Sequence, residues 1–198
     1  KILLNPFRTA HIALGSNQGE RLDLLQKALN SIHESIGEIT AVSRVYETPA
    51  WGFEGNSFLN ACASVQTRLQ PEQLLEELLK IETSLGRERR QDRRYANRSI
   101  DLDILLFEGE TSASESLRIP HPGMEKRKFV LLPLADIAAE EVHPVSGKKI
   151  RELLKDTEDL SEIREYSGAL KMPQGFDFSK FSYIAVEGNI GAGKSTAS

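Results

Sequence analysis

The chain has 198 residues, 39% hydrophobic and 27% charged, with a formal net charge of −4 and a single cysteine, Cys62. These values fit an ordinary globular protein of one domain plus extras. They exclude an intrachain disulfide, argue for a reducing, cytoplasmic setting and argue against a bulk nucleic-acid binder, which would be basic. No run of about 18 apolar residues suggests a membrane span.

Residues 11–15 read as a strand ending in a glycine turn, with Ser16 or Asn17 placed to cap the next helix. In that helix Leu22, Leu25, Leu29, Ile32 and Ile36 recur at helical spacing, and Gly37 is expected to stop it. Residues 39–47 are expected to form one strand, ending at Thr48-Pro49. A loop follows that carries Trp51 between small residues, and then a strand over 58–68. Pro71 sits where the first turn of a helix accepts proline, and that helix ends at Gly86. A polar turn at 108–115, an extended Ile119-Pro-His-Pro122, a helical stretch at 129–137 and a short helix from Ile150 complete the domain. The order strand–helix–strand–strand–helix–strand predicts an α+β, ferredoxin-like fold, with a mainly antiparallel sheet flanked by helices. Residues 1–163 form this expected domain and 164–181 a linker. Residues after about 165 are expected to be poorly ordered or packed opportunistically. Residues 182–198 open a second domain, with a strand followed by Gly188-Asn-Ile-Gly-Ala-Gly-Lys-Ser195. This matches the phosphate-cradling P-loop, in which Gly188, Gly193, Lys194 and Ser195 are the defining positions. The helix and sheet such a loop needs do not follow within the chain, so no activity is expected from this fragment alone.

The chemistry concentrates at Arg98-Ser-Ile-Asp-Leu-Asp-Ile104. Period-two alternation puts Ile100, Leu102 and Ile104 on one strand face and Asp101 and Asp103 on the other. Their Cα atoms should lie about 6.6 Å apart, close enough to converge on a metal pair separated by about 3.5–4 Å. On spacing alone, metal ligation and a solvated strand face stand level. The preceding segment 87–98 is half arginine, which favours a metal–nucleotide site, because the guanidinium fork grips phosphate bidentately. A solvated charge run and a nucleic-acid patch are the other readings of that segment. The latter would want interleaved aromatics, and Tyr95 is the only one there. His121 lies between prolines, with Lys126, Arg127 and Lys128 close behind, suiting a phosphate or ribose contact. Trp51, Phe58 and Phe129 are core candidates, and Trp51 also suits an aromatic platform. Asn60 shares a face with Phe58, where an amide can read the edge of a flat heterocycle.

Taken in order, Ala13-Leu-Gly-Ser-Asn17, Tyr46-Glu-Thr-Pro49, Phe58-Leu-Asn60, Ile81-Glu82, Gly86-Arg87, the acidic strand, Pro120-His-Pro122 and Arg127-Lys-Phe-Val-Leu131 carry a resemblance. Residues 11–155 resemble the 6-hydroxymethyl-7,8-dihydropterin pyrophosphokinase family of folate biosynthesis. The resemblance implies ATP as co-substrate, two Mg²⁺ ions held by Asp101 and Asp103, and Arg87 and Arg98 on the phosphates in the chemical step. It further implies Arg89, Tyr95, Ile104, His121 and Arg127 on the nucleotide. Thr48, Trp51, Phe58, Asn60, Glu82 and Phe129 would surround the pterin. Its partners would be these small molecules, without nucleic acid or membrane, and the domain would act as a monomer. Where the family often has Gly-Pro-Arg before the acidic strand, this chain has Ala96-Asn97-Arg98. Residues 183–196 resemble the opening of a deoxynucleoside kinase, so the parent protein is expected to fuse the two activities. Deoxynucleoside kinase activity alone, or an arginine-loop nucleic-acid module, are the alternatives.

Overall fold

A computed structural model describes residues 4–48, 55–86 and 99–176. The elements are β1 (Arg8–Ser16), α1 (Arg21–Ser35), β2 (Gly37–Val42), β3 (Tyr46–Thr48), β4 (Phe58–Thr67), α2 (Pro71–Ser84), β5 (Asp101–Phe107), β6 (Ser112–Ala113), β7 (Arg118–Ile119), a 3-10 turn (Met124–Lys126), α3 (Lys128–Ala138), α4 (Ile150–Asp156) and β8 (Arg164–Glu165). One antiparallel six-stranded sheet runs β5-β1-β4-β3-β8, with β2 also on β4. This is the expected α+β arrangement. Among the described residues no helix is long and apolar enough to cross a membrane.

The two faces of the sheet are covered by different helices. Ile12 and Leu14 of β1, Leu59, Ala61 and Val65 of β4, and Leu102 and Ile104 of β5 pack with α1 and α2 through Leu25, Leu29, Ile32, Leu74 and Leu78. The opposite face packs Cys62 and Leu105 against Val130, Leu131 and Leu134 of α3 and Leu153 of α4, with Ala13 and Phe129 beside them. Burial pushes the Cys62 thiol up, so it stays protonated and inert. The pairing of β1 with β5 shifts at the His11/Ile12 step, where Leu105 is the extra residue. That bulge flips the side-chain alternation, so that Leu106 joins the α3 face and Phe107 the other.

Several expectations are corrected. Neither Ser16 nor Asn17 caps α1: Ser16 still belongs to β1, and the helix starts at Arg21 with no side-chain cap at Glu20. Gly37 does not act as a helix stop; it opens β2, where a Cβ would lie 2.0 Å from the Gln66 carbonyl oxygen. Hence only glycine lets β2 approach β4 this closely. The strand expected over 39–47 breaks after Val42. Ser43 turns its amide to the Cys62 carbonyl (2.9 Å) and accepts the Cys62 amide on its hydroxyl (2.8 Å). The turn at 108–115 contains β6, which pairs with β7.

Past residue 165, where poor order or opportunistic packing was expected, the described residues up to 176 pack on the edge of the sheet and along α1. Arg164 and Glu165 pair with Glu47 and Tyr46 on the free edge of β3, and the Tyr166 amide donates to Val45. The chain then follows α1: Arg21 lies over the Tyr166 ring at 5.9 Å, Gln26 and Lys171 exchange two hydrogen bonds, and His33 meets Phe176 edge-on at 5.2 Å. An open strand edge and a helix flank supply the partners that this aperiodic segment cannot find within itself.

Candidate functional site at the acidic end of the sheet

Asp101 and Asp103 share the α3 face of β5, beyond the part that α3 covers, and both remain partly exposed while Leu102 and Ile104 are buried. The strand beside them is small: Asp101 faces Gly15, and Asp103 faces Ala13. Across β1, Gly15 faces Asn60, and Asn60 faces Tyr46 of β3. A cross-strand row therefore runs from an acid, over a glycine, to an amide.

That amide is fixed. Asn60 is 8% exposed and donates from Nδ2 to Thr48 Oγ1 at 2.8 Å. An amide has two N–H donors and a carbonyl oxygen, so this bond leaves further capacity for a ligand edge. Phe58 sits two residues away on the same face, with its ring 3.9 Å from where a Gly15 Cβ would be. Phe129 begins α3 on this face and is half-buried.

His121 is brought to the acids by the β5 bulge. Its amide donates to the Leu105 carbonyl at 2.9 Å, which sets Nε2 3.9 Å from Asp103 Oδ1. Burial lowers the imidazole's pKa, and the positive charge of Arg127 lowers it further, against the opposing bond at Pro122 and the charge of Asp101. The ring is therefore neutral near pH 7 and can act as donor or acceptor. Arg127 lies at the end of the 3-10 turn, and the site of a Gly123 Cβ is 3.8 Å from its Nε. The N-terminus of α3 has no cap from its own flank. Asp159 supplies one from 31 residues downstream by accepting the Lys128 amide at 2.9 Å.

Other assigned positions fall differently. The Ile104 side chain lies in the core with Leu102, on the face away from the acids, so only its backbone could reach a nucleotide. Glu82 is buried in the last turns of α2, near the end that leads to residue 87. Trp51, Arg87, Arg89, Tyr95, Arg98, Gly188, Gly193, Lys194 and Ser195 lie outside the described residues. Among the described residues no group of three or more His, Cys, Asp or Glu is assembled to hold a metal. The two carboxylates still suit Mg²⁺, which takes one or two protein carboxylates and completes its shell with phosphate and water.

Supporting roles emerge that the sequence did not assign. The Ser16 hydroxyl donates to the Ser99 carbonyl and fixes the entry to β5. Arg21 pairs with Glu47 at 2.8 Å and donates to the Ser57 carbonyl at 2.9 Å, tying β3 to the start of β4. Tyr46 and Asp136 are bonded at 2.7 Å. Ser16 and Tyr46 fall inside the recognised motifs, but neither has a local pattern that announces its partner.

The family model for 7,8-dihydro-6-hydroxymethylpterin-pyrophosphokinase (HPPK) matches residues 11–139. The chain is 39% identical over 145 residues to 2-amino-4-hydroxy-6-hydroxymethyldihydropteridine pyrophosphokinase of Aquifex aeolicus, covering 73% of this chain and 89% of that protein. The enzyme of the same name from Bacillus subtilis is 40% identical over 160 residues, covering 79% and 95%. Folic acid synthesis protein fol1 of Pneumocystis carinii is 39% identical over 176 residues, which are 88% of this chain and 23% of that protein. Among solved structures, wild-type Plasmodium falciparum HPPK-DHPS with SDX-DHP superposes with a TM-score of 0.64 at 19% identity, over 76% of this chain and 44% of the other. That likeness supports the ferredoxin-like fold, and the chain spans less than half of the solved protein. Matched over most of its length by the family model and by relatives near 40% identity, the chain belongs to the 7,8-dihydro-6-hydroxymethylpterin-pyrophosphokinase family.

Proposed function

We propose that the acidic end of the sheet transfers a pyrophosphoryl group from ATP to the hydroxymethyl group of 6-hydroxymethyl-7,8-dihydropterin, releasing AMP, in folate biosynthesis. The observation that supports this is the cross-strand row Asp101–Gly15–Asn60, in which an acid suited to a metal and an amide suited to a heterocycle edge lie two strands apart on one face. The hydroxymethyl oxygen forms a bond to the β-phosphorus as the bond from that phosphorus to the α–β bridging oxygen breaks; AMP leaves, and the hydroxyl proton is released to solvent.

Asp101 and Asp103 would hold Mg²⁺, two ions by the family resemblance. Bound metal supplies charge neutralisation and a template for the phosphate oxygens. Phosphoryl transfer asks mainly for positioning and electrostatic stabilisation. His121 would hydrogen-bond a phosphate oxygen, and Arg127 with Arg87, Arg89 and Arg98 would balance the remaining charge. Tyr95 and the Ile104 backbone would border the nucleotide. Thr48 orients Asn60 toward the pterin edge, Phe58 and Phe129 would enclose its faces, and Trp51 and Glu82 would complete the pocket. The domain over 1–163 is proposed to work as a monomer in the cytoplasm, in keeping with a buried, reduced Cys62. The P-loop signature at 188–195 supports a second, deoxynucleoside kinase activity in a longer parent protein.

The test is a nucleotide-product assay with MgATP. Pterin-dependent AMP is expected. Loss of that AMP below about one hundredth in Asp101→Ala and Asp103→Ala, with the melting temperature kept, is expected for metal ligands. ADP formed with a deoxynucleoside and no pterin-dependent AMP would replace this function with the kinase alone.

A further inference from the structure

Tyr46 is buried, 4% exposed. Its hydroxyl, however, leaves the sheet and donates to Asp136 Oδ2 of α3 at 2.7 Å. Asp136 also accepts the Arg44 amide at 3.2 Å, its Nε at 3.3 Å and its second terminal nitrogen at 2.8 Å. The other Arg44 terminal nitrogen reaches Glu165 of β8 at 3.2 Å. One carboxylate on α3 therefore gathers the start of β3, and through Arg44 the strand added after it.

The positions on either side give this cluster its meaning. Asp136 lies seven residues, two helical turns, after Phe129, so the two share a helix face. Thr48 lies two residues after Tyr46, on the same face of β3, and Asn60 is the direct cross-strand partner of Tyr46. The other described contacts of α3 with the sheet are the apolar packing around Cys62, Leu131 and Leu134, which is non-directional, and a long contact of 3.9 Å from the Cys62 thiol to the Val130 carbonyl. The Tyr46–Asp136 bond is directional, and burial keeps the phenol protonated as a donor, with the Asp136 bond adding to the effect.

We propose that Tyr46 and Asp136 form a positioning latch that sets the gap between α3, carrying Phe129, and the β3–β4 pair, carrying Phe58, Thr48 and Asn60, and so tunes recognition of the flat heterocycle. This rests on the pterin assignment of that gap. Neither latch residue touches the reacting atoms. Their loss widens the slot and weakens capture of the planar substrate, while the phosphate end, built from β5 and the segment before α3, keeps its geometry.

The experiment compares steady-state constants of Tyr46→Phe, Asp136→Ala and the double variant, with Thr67→Val as a stability control. Thr67 bonds the Ile36 carbonyl at 2.8 Å at the far end of β4, away from the acids. Expected are a rise in the pterin KM of about tenfold in each single variant, no further rise in the double variant, and an ATP KM within about twofold of wild type. Asp136→Asn, which keeps an oxygen acceptor, should recover most of the affinity, and Thr67→Val should lower the melting temperature with both KM values kept. Equal changes in the two KM values, or an unchanged pterin KM in an active Tyr46→Phe enzyme, would overturn the latch. A wild-type protein with no pterin-dependent AMP would overturn the substrate assignment beneath it.

Discussion

Replacing Gly15 by alanine puts one methyl group between the acid and the amide that face it across the sheet. The new Cβ would lie 3.2 Å from Asn60 Oδ1 and 3.9 Å from the nearest Phe58 ring carbon. The second contact is ordinary and the first is a few tenths of an ångström too short, so the amide must shift by about that much. Its bond to Thr48 is 2.8 Å long, and lengthening by roughly 0.3 Å leaves it within hydrogen-bonding range. The amide is then displaced and not released. One misaligned hydrogen bond weighs about 1 kcal/mol, which corresponds to a roughly fivefold rise in the pterin KM. Gly15→Val adds two further carbons that no such shift absorbs, and loses about a hundredfold or more in kcat/KM. Steady-state AMP release, with each substrate varied in turn, measures both constants, and thermal unfolding of the same variants measures stability. A pterin KM unchanged in Gly15→Ala while the melting temperature falls would show that the glycine serves strand packing alone, refuting its role beside Asn60.

Other outcomes follow from single contacts. Gly37→Ala drives a Cβ to 2.0 Å from the Gln66 oxygen, so a loss of about 3 kcal/mol or outright failure to fold is expected in denaturant titration. Asp159→Ala removes the acceptor at the start of α3 and should cost about 1 kcal/mol at neutral pH. Burial alone would raise this carboxyl, but bonds from Ser161 and the Lys128 amide outweigh it and leave it below its ordinary value. Its contribution is thus full above the unfolded carboxylate range and fades as pH falls through the depressed value, and the gap in melting temperature between wild type and variant should close in acid. Ending the chain at Ile163 removes β8 and the contacts along α1, and should lower the melting temperature relative to a chain ending at Phe176.

The acids were legible because their alternation with Ile100, Leu102 and Ile104 is a local signal that the flanking sheet only reinforces. The two long helices were legible for the same reason. The break after Val42 was not, because the apolar pattern runs through it, and the interruption is made by Cys62 and Asp136, distant in sequence. Gly37 looked like a helix stop because the sequence cannot display the carbonyl that β4 brings against it. Strand β8 is two residues long and carries no alternation. Only the open edge of β3 makes it a strand. At the site, Asn60 and Phe58 could be paired from spacing, whereas the Asp136 partner of Tyr46 lies 90 residues away.

Strand β4 changes partner along its length. Its first residues, Phe58 to Asn60, pair with β3, and Ala63 to Thr67 pair with β2. The changeover falls at Cys62, held by Ser43. On the proposed function, one continuous strand would carry the recognition positions 58 and 60 at one end and a structural segment at the other. Variation at 58 and 60 would then retune which planar ring is accepted, whereas variation at 63–67 is filtered first by folding. In a scan of substitutions along β4, positions 58 and 60 should give kinetic phenotypes, and the core positions Leu59, Ala61, Ala63 and Val65 stability phenotypes. On that reading, the arrangement would give the fold room to diverge in substrate while remaining the same fold.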